Sequence, residues 1–513
     1  MVADNTPVII GVGQFSHKVS DPDYTPLSYA DLGGRALAEA ISDSGGEGVA
    51  DAINTLAVIR AFEMSRPGRE PPFGAPDNVP AAFASRVGAT PDRLILSPTG
   101  GQTNQQMVGE FAADIAQGRI ECAAIVGAEA ISTALALAAK GEAPDWSETH
   151  GGEFEDRGFG IEELLEPQLF THGAIGAIPL YAMAENARRA KLGLSLEEYR
   201  LKIGELFEPF TRVAANNPHS AAPVERTASE LAEVTERNRI VSEPYTRMTV
   251  ARDQVNQAAA ILIASVGKAR ELGVPEGKWV HIHSITSATE LGLLERPDLE
   301  KNPASIASVE AALDMAGSSL DEIAILDFYS CFAIPVFNQC DHFGLAVDDP
   351  RGLTLTGGLP FFGGAGNNYS AHAIAEAVER VRAAPGKTAL VGANGGWMSK
   401  FSTGIYSAQP ADWSDVSARV KKLDKATNAE PVCAGEFSEA VVETYTIERG
   451  KKGDRAIFIG RTPEGERVAG NADLTDEPTR AVFEGGEPFG DRLRVSRDEN
   501  GRNIGRLAPI AGL

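Results

Sequence analysis

Apolar residues run together from Val8 to Gly13 and glycines close the stretch, the mark of a buried strand. Downstream, residues 30–43 place Leu32, Ala36, Leu37, Ala40 and Ile41 at helical spacing. The alternation repeats: strands are predicted at 54–59, 93–96 and 121–126, with helices at 78–86 and 105–117. Two helices follow at 175–192 and 196–214. After Pro244 the pattern predicts a helix at 254–272, a strand at 279–285, a helix at 304–315, a strand at 323–329, a helix at 371–381 and a strand at 387–392. Strand and helix in turn, over two stretches of similar style, predict a layered α/β architecture with sheets covered on both faces.

Near residue 408 the grammar changes. Short strand patterns at 440–448, 455–461, 466–471 and 492–495, separated by Gly and Asp turns, predict a small β-rich domain, a barrel of the OB kind. Charge marks the same boundary. The 513-residue chain has 47 basic and 71 acidic residues, net −24, of which 1–408 carry −21 and 409–513 only −3. The expected division is therefore 1–240, 241–408 and 409–513. Residues 141–239 form an excursion from the first α/β half.

An acidic chain of this kind argues against nucleic acid as a partner. Without a long uncharged apolar run, no membrane insertion is expected. Four cysteines, Cys122, Cys331, Cys340 and Cys433, are too few and too scattered for a disulfide framework or a thiolate metal cage, and they suit a reducing, cytoplasmic location. His281 and His283 share one strand face without an evident third ligand, so no metal is expected.

Chemistry concentrates in glycine-rich turns. Gly11-Val12-Gly13 lacks the third glycine of a dinucleotide fingerprint, because Ser16 stands there, and reads as a structural turn. The segment Ser97-Pro98-Thr99-Gly100-Gly101-Gln102-Thr103-Asn104 joins a strand to a helix and aims helix-terminal N–H groups above the sheet. Similar turns stand at Gly357 to Asn368 and at Ala393 to Met398. Together with the closing Gly118, the Val126-Gly127-Ala128-Glu129 segment, Tyr329-Ser330-Cys331-Phe332 and the stretch Asp253 to Ala260, these turns resemble the thiolase superfamily. The likeness is to the branch of sterol-carrier-protein-type thiolases and covers about residues 5–408.

The resemblance implies a five-layered α-β-α-β-α fold of two similar halves, with the β-rich domain as an addition. It also implies acyl-CoA chemistry, with coenzyme A or an acyl-CoA as ligand rather than a permanently bound cofactor. The family's acyl-accepting cysteine falls on Gly101, its histidine on Gly364 and its second cysteine on Ala393. Glycine and alanine cannot replace thiol and imidazole. Gly101 and Gly395 match the pair whose N–H groups would cradle a thioester oxygen. Cys331, with Tyr329 beside it, is the remaining nucleophile candidate, the alternative being an inert buried thiol. His219 is the favoured imidazole. Coenzyme A contacts are expected from Arg188, Arg189, Arg212 and Asn217, although surface ion pairing explains these arginines equally well. Two functions stand open. One is an acyltransferase-related enzyme with unusual catalytic residues. The other is a silent subunit or acyl-CoA-binding scaffold that works with a protein partner through its added domain, a homodimer being a further possible assembly.

Overall fold

The computed structural model describes residues 2–161, 166–451 and 453–508. Four residues of the acidic excursion, 162–165, and residues 452 and 509–513 of the expected terminal domain lie outside the described residues.

Two half-sheets carry the body. In the first, strand order runs Arg93–Leu96, Thr55–Ile59, Cys122–Ala130, Asn256–Ser265, Pro7–Ser16. The second repeats the order with Ile325–Asp327, Thr388–Gly395, Lys400–Ser407 and Val280–Thr289. The equivalent first strands meet in the middle, where Val8 pairs with His281 and Ile9 with Val280. Alternation along each strand sorts side chains into layers. Val8 and Ile10 face outward onto helices Tyr29–Ser44 and Val79–Ser85, while Ile9 and Val12 face inward. The inward cluster takes in helices Thr103–Ala116 and Tyr369–Ala383, packed between the two half-sheets. Helices Pro303–Ala316 and Ala333–Phe343 cover the far face. These are the five layers of a thiolase-like fold.

Several expectations need correction. The stretch expected as a helix at 254–272 is the strand Asn256–Ser265, buried along its whole length, followed by the short helix Val266–Glu271. It pairs with both Pro7–Ser16 and Cys122–Ala130, so the first half runs on to Ser265, past the expected boundary at 240. Gly11 and Gly13 are not a turn either. They lie inside a strand, and a Cβ on either would run into the backbone carbonyls of Ala40 or Ala36, so the glycines let helix Tyr29–Ser44 settle onto the sheet.

The excursion supplies helices Ala177–Leu192 and Leu196–Asn216, the latter started by a Ser195/Glu198 capping box. Its two-residue strand Glu155–Asp156 pairs with Arg93–Leu96 and covers that edge.

The added domain is a closed ring of five strands. Glu439–Glu448 pairs with Arg455–Arg461 on one side and Arg492–Arg497 on the other, and Arg467–Ala472 runs parallel to Asn503–Leu507. Helix Glu477–Gly485 connects the third and fourth strands. This is an OB-like barrel; its fifth strand and its helix were not legible in the sequence pattern. Among the described residues, no helix is long and apolar enough to cross a membrane.

Candidate functional site

The inner helices Thr103–Ala116 and Tyr369–Ala383 bring their N-terminal ends together, and the Ser97 to Asn104 turn is locked between them. Gly100 N donates to Asn367 Oδ1 (3.0 Å), Asn104 Nδ2 donates to the Asn367 carbonyl (3.1 Å), and Ser370 Oγ donates to the Gly101 carbonyl (2.5 Å). Asn367 in turn donates to the Arg60 carbonyl (2.8 Å) and to Ser65 Oγ (2.9 Å). The glycine turn is thus held rigidly from several elements.

Gly101 and Gly395 come together as the sequence implied. A Cβ on Gly395 would stand 2.8 Å from Gly101 N. A Cβ on Gly101 would stand 2.5 Å from the Asn394 carbonyl oxygen and 2.6 Å from the Tyr329 hydroxyl. The phenol of Tyr329 therefore fills the space into which a side chain at position 101 would project. Tyr329 packs edge-on against Tyr369, with ring centroids 5.3 Å apart. Its hydroxyl makes no hydrogen bond to another described residue, and burial holds its pKa well above the usual phenol value.

Cys331 joins this cluster but is not poised as a nucleophile. It is buried, its neighbours are the Tyr181 hydroxyl and Asn394 Nδ2 (4.0 Å), and burial pushes its thiol up to about 12. Among the described residues, no cationic group or imidazole acts on it to stabilise a thiolate. Asn394, which sequence reasoning did not single out, bridges the site by donating to Tyr181 Oη (3.1 Å). The open space here is a cavity of about 20 Å³ lined by Tyr329, Ala393, Asn394 and Phe401 among others. Phe361 and Phe362 are buried, Phe361 against Phe207 and Phe362 against Tyr369, while Trp397 leans on Phe170. Trp397 and Met398 both take a left-handed backbone, φ +54° and +66°, which fixes the turn after Gly395 in a conformation unusual for bulky residues.

His219 lies elsewhere. It lines a separate, open cleft of about 900 Å³ with Asn217, Arg212, Glu376 and Glu379, and its Nδ1 is 3.1 Å from Ser16 Oγ. Burial lowers its pKa, so the ring favours the neutral form. Asn217 donates to Glu376 Oε1 (2.8 Å) and Arg212 pairs with Glu208 (2.9 Å). None of the residues lining this cleft borders the small cavity at Tyr329. His219 and Tyr329 thus border different openings.

Arg188 and Arg189 also need correction. Arg188 makes a two-pronged pair with Asp341 (2.7 and 2.8 Å) over the Phe337 ring. Arg189 is fully buried. It donates to Asn186 Oδ1, the Leu194 carbonyl, Glu487 and the Gly486 carbonyl, and stacks over Phe489. It bolts the barrel to helix Ala177–Leu192. Its fork geometry is used for backbone carbonyls rather than phosphate. Glu129, from the Val126 to Glu129 segment, is buried, accepts from Phe62 N (2.7 Å), and is pushed up to about 8 by burial. No group of three or more His, Cys, Asp or Glu side chains that could hold a metal ion occurs among the described residues.

Comparison with known proteins places this geometry. A crystal structure of a monomeric SCP2-thiolase-like protein type 1 from Mycobacterium smegmatis is 40% identical, with 99% of this chain and 100% of that chain covered and a TM-score of 0.83. The chain belongs to the SCP2-thiolase-like protein type 1 family. Residues 417–500 match the family model of the thiolase-like protein type 1 additional C-terminal domain, which is the OB-like barrel. More distant structures share the fold of this type 1 chain. An Ltp2-ChsH2(DUF35) aldolase is 18% identical over 79% of this chain and 98% of that chain, TM-score 0.58. The dimeric peroxisomal thiolase of Saccharomyces cerevisiae is 14% identical over 80% and 99%, TM-score 0.55. No curated protein matches the chain.

Proposed function

We propose that this chain binds acyl-CoA thioesters on a thiolase scaffold without forming a covalent acyl intermediate. The observation that carries the reading is the Tyr329 phenol at Gly101, in the space a side chain at that position would need, with the nearest thiol, Cys331, buried and protonated. The Gly101 and Gly395 backbones stand together, and their N–H groups are the ones that would polarise a thioester carbonyl oxygen. Acyl-CoA then enters as ligand, with the OB-like barrel meeting a protein partner and the whole acting in cytoplasmic acyl-lipid metabolism. The test is calorimetry with acetyl-CoA and longer acyl-CoA, together with thioester cleavage by the wild type and Cys331→Ser. Binding with no cleavage, the same in both proteins, is the expected result. Cleavage abolished by Cys331→Ser overturns the non-covalent reading, and no binding at millimolar ligand overturns acyl-CoA recognition itself.

A second reading rests on the unbonded Tyr329 hydroxyl, which is a proton donor in reach of the Gly101 turn. In it the phenol protonates an enolate held by the glycine amides, in carbon–carbon bond chemistry of the kind named for the aldolase relative. Any turnover lost in Tyr329→Phe and kept in Cys331→Ser selects this reading over a silent binding role.

A further inference from the structure

The open cleft of about 900 Å³ beside His219 has the edge of a central strand in its wall. From Gly11 to Ser16, strand Pro7–Ser16 pairs in unbroken register with Asn256–Ser265 on one side. On its other side it meets Val280–Thr289 only at Val8 and Ile9, and among the described residues no strand covers that edge further on. Bonded and unbonded positions alternate along an antiparallel pair. The Val12 N–H goes to Asp43 Oδ2 (3.0 Å), and Asp43 stands in the cleft wall together with Val12, Gly13 and Gln14. Val12, Gln14 and Ser16 therefore turn their main-chain groups away from the neighbouring strand and toward the cleft. The N–H and C=O of Gln14 have no hydrogen-bond partner among the described residues. Gln14 and Ser16 are half-buried, so the edge is reached from solvent. An uncovered strand edge is a template for a further strand.

Charge decides what kind of strand fits. Glu39, Glu376 and Glu379 line the cleft, and none of them is ion-paired to a cation among the described residues. Glu376 takes only neutral amides, those of Gln14 (3.2 Å) and Asn217 (2.8 Å). The arginines of the cleft are already engaged, Arg212 with Glu208 (2.9 Å) and Arg380 with the Leu355 carbonyl (3.1 Å). Asp43 is matched by Lys278 (2.8 Å) and Arg382 (2.6 Å). What remains over is negative, on a chain whose net charge of −24 draws cations toward it.

We propose that this cleft takes an extended, basic peptide segment of a partner protein, which adds as a strand to the Gln14 edge and sets its cationic side chains against Glu39, Glu376 and Glu379. An acidic segment meets like charge there. A polyamine answers the charge but leaves the strand edge unpaired. None of the residues lining the cleft belongs to the barrel, and the proposal requires no coenzyme A. The full chain is to be titrated by calorimetry with the end-blocked pentapeptide Lys-Val-Lys-Val-Lys, the same peptide N-methylated at every residue, the Glu-Val-Glu-Val-Glu peptide, and spermidine. The lysine peptide should bind and should protect the Gln14 amide from hydrogen exchange. The N-methylated peptide and spermidine should each be weaker by about tenfold or more, and the glutamate peptide should not bind. Glu39→Gln combined with Glu379→Gln, both at exposed positions, should weaken the lysine peptide by about tenfold while thermal unfolding stays as in the wild type. No binding of the lysine peptide, equal binding of any of the other three probes, or an affinity unmoved in the double variant would overturn the proposal. Because none of these probes contains coenzyme A, these outcomes are independent of the acyl-CoA titration.

Discussion

At the scale of single residues, the Tyr329 phenol occupies the space in which a side chain at position 101 would stand. Restoring the thiol alone should therefore fail. Gly101→Cys puts its Cβ against the Asn394 carbonyl and the Tyr329 hydroxyl, and overpacking of this kind costs about 1–3 kcal/mol. Urea unfolding should show that loss, and a thiolysis assay should show no gain. Adding Tyr329→Phe should recover only part of the stability, because the Asn394 carbonyl belongs to the backbone and cannot step aside. That Gly101, Gly395 and Tyr329 lie close together was readable only through the family resemblance, which sets the two glycine turns and the Tyr-Ser-Cys-Phe segment in one region. His219 was misplaced because a favourable residue type in a turn says nothing about which face of the molecule the turn lies on.

At the scale of elements, periodicity located most strands and helices but misread Asn256–Ser265. Its Ala258, Ala259 and Ala260 favour a helix, and the strand is buried on both faces, so no polar alternation betrays it. Only its pairing with two neighbouring strands decides the matter. Helix Ala177–Leu192 was legible, whereas the use of its arginines was not. Arg189 joins the helix to the barrel through the Gly486 carbonyl and Glu487, and holds the Leu194 carbonyl just past the helix's own end. Arg189→Met should cost about 2–4 kcal/mol, since several buried acceptors lose their donor at once. The expected sign in thermal unfolding is an early transition for the barrel, with protease cuts appearing at the 417–439 connection before any in the body.

At the scale of the whole molecule, buried carboxyls set the pH response at neutral pH. Burial pushes Glu185 up to about 7, Asp327 up to about 7 and Glu129 up to about 8, well above the ordinary carboxylate range they regain on unfolding. The folded state therefore keeps protons that the unfolded state has released. Their contribution to stability is full below the unfolded pKa and is lost as pH rises through 7 to 8, with a slope of up to about 1.4 kcal/mol per pH unit for each group. The melting temperature should fall between pH 7 and 8.5, above the range in which the buried histidines, whose pKa values burial lowers, pull the other way. Glu185→Gln should flatten that fall while preserving a partner for Tyr199 Oη, which donates to Glu185 at 2.6 Å.

The barrel is also wired into the second half. Arg467, on its third strand, is 1% exposed and donates to the carbonyls of Leu294, Arg296 and Pro297. Cutting the chain ahead of the barrel would leave these three carbonyls facing water where an arginine stood, and would take Glu487 and the Gly486 carbonyl away from the buried Arg189. A shortened protein would then be a different molecule, and an appendage that looks removable in the sequence serves as part of the body's own framework.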